Sequence, residues 1–303
     1  MRTDKSITKL IEQFLSETIT NERSQRTYRS TLNRFFRYIS ANGRNVRHVT
    51  KTDVMNYKQS LIIERKSAHT IDNYLASVRQ FFSWLEERDY HDNVAAGVRS
   101  PRRGRIFRKK FLTVDQVQQL LAVIPRDTIN GLRDYAIISL MLRTGVRCVE
   151  VENTNVGDIT NENDILAISI QRKGRVEKEE HIGLTGKTID AINDYLVQRN
   201  VVDSQPLFVN HSTRANGQRV KSININRIVK RYMSAIGLVG RRYTAHSLRH
   251  TAAITALMNG ASIYEVKAML GHTSVSTTEI YTHMLDEYKR LINSPGRVLD
   301  EVY

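Results

Sequence analysis

Toward the C-terminal end of the chain, His246-Ser247-Leu248-Arg249-His250 is followed by Leu270-Gly271-His272 and Thr278-Glu279-Ile280-Tyr281, and Thr144-Gly145-Val146-Arg147-Cys148-Val149-Glu150 stands upstream. Attack on a phosphodiester by a side chain needs cationic donors for the charge developing on the non-bridging oxygens, a proton acceptor, an acid for the leaving oxygen, and a nucleophile. These segments supply a candidate for each role. Arginine suits the clamp because its planar fork gives paired hydrogen bonds to phosphate and stays charged at any relevant pH. His246 and Arg249, three apart, share a face if the segment is helical, and Thr244 or Ser247 can help open that helix. His246 and His250 also have the spacing of a zinc pair. Ser247 stands where zinc peptidases carry glutamate, however, and with one cysteine in the chain no metal site is expected. His250, one step beyond the shared face, reads as structural.

Gly271 is placed to end a helix over residues 263–270 as a left-handed cap, setting His272 at a rigid turn. Ser276-x-x-Glu279 reads as a capping box opening a helix with Tyr281 in its second turn. Flanking arginines there would lower the phenol's pKa of about 10 toward ionisation. One tyrosine among thirteen is ordinarily a packing residue. The spacing changes that: His-x-x-Arg, Leu-Gly-His some twenty residues on, then tyrosine nine residues after that histidine.

In this pattern the chain resembles the tyrosine recombinases, the family of phage integrases and Xer proteins, over nearly its whole length. The resemblance implies that Arg147 and Arg249 are the clamp arginines, His246 assists proton transfer, His272 donates a hydrogen bond to the phosphate, and Tyr281 is the nucleophile. It also matches Lys173 to the general acid for the leaving 5′-oxygen, with Lys178 its rival in the same turn, and Glu150 to the acidic residue that supports the first arginine and histidine. The chain departs from the family where a leucine-rich strip reads VENTNV over residues 151–156.

Two domains are expected to position these residues. Before residue 99 the pattern is helical: Ile7, Leu10, Ile11, Phe14 and Leu15 follow a Ser6 cap on one face, and Thr50-x-x-Asp53 precedes Val54, Tyr57 and Leu61. Ser24 and Ser67 precede two segments that echo each other, with clusters Phe35-Phe36-Arg37-Tyr38 and Phe81-Phe82-Ser83-Trp84 expected to form a core. Their polar sides carry Arg26, Arg29, Arg34, Arg37, Arg65, Lys66 and Arg79, candidates for phosphate contacts. Residues 99–110 hold seven of the 46 Lys and Arg residues, no acid, a proline and a glycine, and so read as an extended linker. Beyond it, residues 132–142 are apolar enough for a buried helix that Gly145 ends. Residues 165–171 and 180–184 form a β-hairpin about the Lys173-Gly174-Arg175 turn, and from Thr188 the chain is again mainly helical. The expected boundaries are 1–98 for a core-binding domain, 99–111 for a basic linker, and 112–303 for a catalytic domain with a tail from about residue 294. The fold class is mainly α (α+β): by the resemblance, a helical SAM-like domain and a mixed, mostly helical catalytic domain with a small sheet, together a C-shaped clamp on DNA. Val298, Leu299 and Val302 in the tail form an apolar face, and family members commonly dock such a tail into the neighbouring subunit.

The net charge of +15 points to a polyanionic partner, and almost half of that excess lies in the linker, where Arg102, Arg103, Arg105 and Lys109 can cross a DNA backbone. No apolar run approaches the roughly 18 residues that span a bilayer, and the polar N-terminus lacks a signal-peptide core, so a cytoplasmic protein is expected. The single cysteine, Cys148, excludes an internal disulfide and reads as a packing residue. The resemblance implies a site-specific recombinase that acts through a 3′-phosphotyrosyl link and a Holliday junction. Its partners would be double-stranded DNA with paired inverted-repeat sites, other copies of itself in a homotetramer, and an accessory or partner recombinase. Exchange of one phosphoester for another conserves bond energy, so neither ATP nor a metal cofactor is expected. A type IB topoisomerase would reseal the same strand, and a catalytically silent DNA-binding relative would lack a key residue that this chain retains. Starting directly with core-binding helices favours a simple Xer-like or invertase-like enzyme, or the integrase of a mobile element, with transposition among the uses.

Overall fold

The computed structural model describes residues 5–44, 48–102, 110–172, 175, 177–199 and 201–294. Two compact units divide the chain, residues 1–106 and 107–303. In the first, the described residues form α1 (Lys5–Thr18), α2 (Glu22–Ala41), α3 (Lys51–Ile63) and α4 (Ala68–Glu86). Both aromatic clusters point inward. Phe81 meets Phe14 edge-on with ring centroids 5.4 Å apart and Phe36 at 5.6 Å, and the Trp84 indole stacks on it at 6.0 Å. Such buried rings have no face left for a base.

In this unit α2, α3 and α4 each start at a side-chain oxygen that accepts from the first turn. Thr50 and Asp53 do so reciprocally, with the Thr50 N–H donating to Asp53 Oδ2 at 2.9 Å and the Asp53 N–H to Thr50 Oγ1 at 3.3 Å. Ser67 caps α4 as expected. Two other expected caps do not form. Helix α1 already includes Lys5, so Ser6 lies within its first turn. Helix α2 begins upstream of Ser24 because Asn21 Oδ1 accepts from the Arg23 and Ser24 N–H groups at 3.0 and 3.1 Å. Several of the basic side chains proposed for phosphate are held by acids: Arg29 by Glu12 at 2.6 Å, Arg34 by Glu64 at 2.5 Å, Arg79 by Asp72 at 3.4 Å.

The second unit holds α5 (Val114–Ala122), α6 (Ile129–Thr144), α7 (Cys148–Glu152), β1 (Ile159–Glu162), β2 (Ile165–Ile170), β3 (Glu180–Gly183), α8 (Gly186–Val197), α9 (Ser222–Ala235), α10 (Ala245–Met258), α11 (Ile263–Leu270) and α12 (Glu279–Ile292). Helix α6 is apolar around its circumference because α8, α9 and α10 all pack against it. Its charged pair is satisfied internally: Asp134, fully buried, accepts from Arg133 at 2.7 Å and from Arg231 at 2.6 Å. No described helix is long and apolar enough to cross a membrane.

The sheet has the antiparallel order β1-β2-β3, with Ile159 opposite Ile168 and Ile170 opposite Glu180. The hairpin of β2 and β3 matches expectation, whereas β1 was not anticipated. Its sequence, Ile-Thr-Asn-Glu, is short and polar, and backbone pairing to β2 rather than an apolar face makes it a strand. The VENTNV strip, where the resemblance implied leucines, is tied by polar contacts. Arg219 donates to the Glu152 and Thr154 carbonyls at 2.6 and 2.7 Å and to Asn155 Oδ1 at 2.5 Å, and Val151 and Thr154 are the deeply buried residues of the strip.

Helix α12 also starts later than the capping pattern suggested. Ser276 lies in a 3₁₀ turn, Val275–Thr277, where its N–H and hydroxyl are engaged by the Ser274 hydroxyl at 3.3 and 2.8 Å. Thr278 is therefore the N-cap, and Tyr281 falls in the first turn of the helix instead of the second, its N–H donating to the Thr278 carbonyl at 2.9 Å. The tail expected to dock, residues 295–303, lies outside the described residues.

The aromatic core gives a direct stability test. Phe81→Ala removes a fully buried ring from contact with Phe14, Phe36 and Trp84 and should destabilise the first unit by about 3–5 kcal/mol. Trp84, the only tryptophan, reports the transition by fluorescence in a urea titration. An unshifted midpoint would show that the cluster does not bear on stability.

Candidate active site

Arg249 projects from the second turn of α10 into the interior and is 1% exposed. Isolated there, its charge would be strongly destabilising. Two helix ends compensate it. Nη1 donates to the Gly145 carbonyl at 2.6 Å, at the end of α6, and Nη2 to the Leu270 carbonyl at 2.7 Å, at the end of α11. Carbonyls left free at helix C-termini carry the negative end of the macrodipole, so both are suited to a cation. Each helix closes on a left-handed glycine, Gly145 at φ 67° and Gly271 at φ 61°. Gly145 is needed for space as well, because a Cβ there would lie 2.6 Å from Leu270 Cδ2. Burial, reinforced by the neighbouring Arg147 charge, pulls the Arg249 pKa down to about 10, which leaves it cationic at neutral pH. Its Nε–H is buried with no acceptor among the described residues.

Arg147 is not helical. It occupies the N-cap of α7 in extended conformation, where its N–H donates to Glu150 Oε2 at 2.7 Å and its Nη1 to Glu150 Oε1 at 2.8 Å. Glu150 is fully buried, while the Arg147 side chain remains 28% exposed. The carboxylate therefore aims one edge of the guanidinium and leaves the other open. A second cation that the sequence did not single out, Arg172, donates to the same Glu150 at 3.2 Å. It stands between the strand expected over residues 165–171 and the Lys173-Gly174-Arg175 turn, where no local signal marks it.

His272 follows Gly271 and accepts at Nε2 from Arg249 Nη2 at 2.9 Å, while Nδ1 meets Thr278 Oγ1 at 2.9 Å. Arginine can only donate, so the ring proton must sit on Nδ1 and point at Thr278. The donor role toward phosphate implied for His272 thus requires Nε2 to leave Arg249 and the ring to change tautomer. Thr278 was not anticipated either. It is fully buried and links His272 to the start of the helix bearing Tyr281.

Tyr281 is 2% exposed, packed with Ala253, Ile254, Val266, Leu270 and Met284. Its ring lies parallel to that of His272 at 6.2 Å and tilted against His250 at 5.3 Å. Burial raises the phenol pKa above its ordinary value, and the opposing pull of Arg249 and Arg147 is smaller. That reverses the expectation that flanking arginines would favour ionisation. The resting tyrosine is protonated at neutral pH. His246, exposed on α10, stacks edge-on against His250 at 4.5 Å and lies near enough to His272 for their charges to interact.

Arg147, Glu150, His246, Arg249, His272 and Tyr281 are thus brought together. Lys173 lies outside the described residues, as do Arg103, Arg105 and Lys109, whereas Arg102 is described and exposed. The rival lysine, Lys178, is engaged by Asp158 in an ion pair. Cys148 packs partly buried against the core, and burial pushes its thiol up to about 11.

Burial and the surrounding arginines depress the His272 pKa to about 4, against about 6.5 for an unfolded chain. Above pH 6.5 neither state binds the proton. As pH falls from 6.5 toward 4 the unfolded chain takes up a proton that the folded one refuses, so stability contributed at neutral pH is lost across that window. Urea midpoints measured over this range should fall less steeply for His272→Gln than for the unsubstituted chain. Parallel profiles would show that His272 does not titrate as described.

Comparison with known proteins gives the family. Residues 110–288 match the phage integrase family, and residues 8–92 match the phage integrase N-terminal SAM-like domain. The tyrosine recombinase XerC of Thermodesulfovibrio yellowstonii is 31% identical over 275 residues, covering 88% of this chain and 87% of that protein. XerC of Herpetosiphon aurantiacus is 32% identical over 292 residues, 91% of each chain. Among solved structures, the XerH recombinase bound to palindromic difH substrate superposes with a TM-score of 0.75 at 20% identity, covering 96% of this chain and 84% of that one. A lambda integrase dimer bound to a COC′ core site gives 0.71 at 16% identity, covering 91% and 97%. With the family's two domain types in order and a relative alike over most of both chains, this protein belongs to the phage integrase family and is a site-specific tyrosine recombinase.

Proposed function

We propose that Arg147, Lys173, His246, Arg249, His272 and Tyr281 carry strand cleavage and rejoining in duplex DNA, with Glu150 in support. The observation that carries this reading is the convergence of one open guanidinium edge on Arg147, a buried Arg249 with an unanswered Nε–H, and the Tyr281 ring in one cluster. A phosphate between the two arginines would receive paired donors on its non-bridging oxygens as charge develops there. The Tyr281 oxygen attacks phosphorus and its proton passes to His246. The bond from phosphorus to the 5′-oxygen breaks, Lys173 protonates that oxygen, and a 3′-phosphotyrosyl link remains. Attack by the 5′-hydroxyl of a partner strand reverses each step and releases Tyr281. One phosphoester replaces another throughout.

The partner class is double-stranded DNA, in keeping with the net charge and with the DNA-bound relatives of the same fold. Paired inverted-repeat sites, a homotetramer that passes through a Holliday junction, and a cytoplasmic setting complete the proposal. Residues 1–98 would serve as the core-binding domain and 112–303 as the catalytic domain. Between them Arg102, Arg103, Arg105 and Lys109 would strap the DNA backbone.

Tyr281→Phe removes only the attacking oxygen, so half-site binding should persist while covalent adducts on a nicked suicide substrate disappear. Persisting adducts would move the nucleophile elsewhere, with Tyr288 first in line. Lys173→Ala should stall cleavage at an ordinary 5′-oxygen yet spare a substrate with sulfur at that bridging position, since a thiolate leaves without a proton. Equal slowing on both substrates would show that Lys173 is not the acid.

A further inference from the structure

Arg172 is a buried cation for which the chemistry above has no use. Only 4% exposed, it donates through Nε to Glu180 at 2.7 Å, through Nη1 to Glu150 at 3.2 Å, and through Nη2 to the Met269 carbonyl at 3.2 Å. The three acceptors belong to three segments: β3, α7 and the last turn of α11. The guanidinium lies against Gly271 so closely that a Cβ there would collide with its Nε, and would sit 2.6 Å from its Cζ. All three nitrogens are therefore engaged within the protein.

Two of the neighbours of Arg172 bear on the cluster. Glu150 orients Arg147. Met269 precedes Leu270, whose carbonyl holds Arg249, and the same turn ends in His272. We propose that Arg172 is a positioning residue for phosphodiester cleavage, holding Arg147 in register with Arg249 and His272 by tying Glu150 to the end of α11. Electrostatics gives it a second effect. Glu150 is fully buried between two guanidinium groups, so its charge is shared. Without Arg172 the carboxylate has only Arg147 among its two ion-pair partners, and draws that group away from the face that must receive phosphate.

This inference rests on the reading of Arg147 as a clamp arginine, and the test separates the two. Single-turnover cleavage of a nicked suicide duplex at saturating DNA is measured beside half-site binding for Arg172→Met, Arg172→Lys and Arg147→Ala. Arg172→Met should bind within about twofold of the unsubstituted protein yet cleave about 100-fold more slowly, the scale of a small misplacement of a catalytic group. Lysine keeps the charge but cannot span three acceptors, so Arg172→Lys should recover part of the rate and remain about tenfold slow. In a Glu150→Gln background the same Arg172→Met change should cost less than about threefold, because the route to Arg147 is already broken. Equal losses in both backgrounds, binding lost in step with cleavage, or an Arg172→Lys protein that cleaves normally would each overturn the proposal. Arg147→Ala cleaving at the normal rate would overturn the clamp reading beneath it. A slow Arg147→Ala beside a normal Arg172→Met would remove the Arg172 inference alone.

Discussion

The second unit is organised around a buried guanidinium on two helix ends. Arg249 can be 1% exposed and charged because the carbonyls of Gly145 and Leu270 accept from it, and those carbonyls are free because α6 and α11 both end there. A helix that ran one turn further would satisfy its own carbonyl and leave the arginine unpaired. The two left-handed glycines are therefore requirements of electrostatics as much as of chain direction: they stop the helices where the cation needs them. Gly145 adds a steric demand, since its missing Cβ lets Leu270 pack against the turn.

From that arrangement follows a resting state in which the charges are held while His272 and Tyr281 are neutral. Arg249 occupies Nε2 of His272, which places the ring proton on Nδ1 toward Thr278. Tyr281 keeps its proton because packing among Leu270, Val266 and Met284 outweighs the nearby arginine charges. An incoming phosphate would change both terms. It would take hydrogen bonds from Arg249 in competition with His272, and its own negative charge would sit between the arginines and the phenol. Deprotonation of Tyr281 then depends on a proton acceptor during attack and not on a pre-formed phenolate.

Polar networks do elsewhere what apolar packing does in many helical domains. Asp134 gathers Arg133 and Arg231 inside the α6 and α9 contact, and Arg219 gathers the backbone of residues 152–155 where leucines would otherwise pack. Glu150 with Arg147 and Arg172 is the third such network, and it differs in reaching the cluster directly. Networks of this kind fix geometry because a displaced group leaves a buried carboxylate, Asp134 or Glu150, short of a partner. For the proposed clamp, which would aim two guanidinium groups at one phosphate, that rigidity is the useful property.

Local chemistry was legible in the sequence. The residue types and spacings around Arg147, Arg249, His272 and Tyr281, the glycine stops at 145 and 271, the aromatic core of the first unit, the Thr50 capping box and the β2–β3 hairpin all follow from rules acting over a few residues. Where several local signals competed, the tertiary structure decided: Asn21 rather than Ser24 starts α2, and Thr278 rather than Ser276 starts α12, moving Tyr281 into the first turn. Strand β1 exists because β2 offers it a ladder, which its own four residues do not announce. Arg172 carries no local signal of a role, and only the convergence of β3, α7 and α11 makes it a buried bridge. The protonation of Tyr281 was misjudged for the same reason. Spacing brings arginines near a phenol, but the balance between their charge and the loss of water is set by how tightly distant segments close around it.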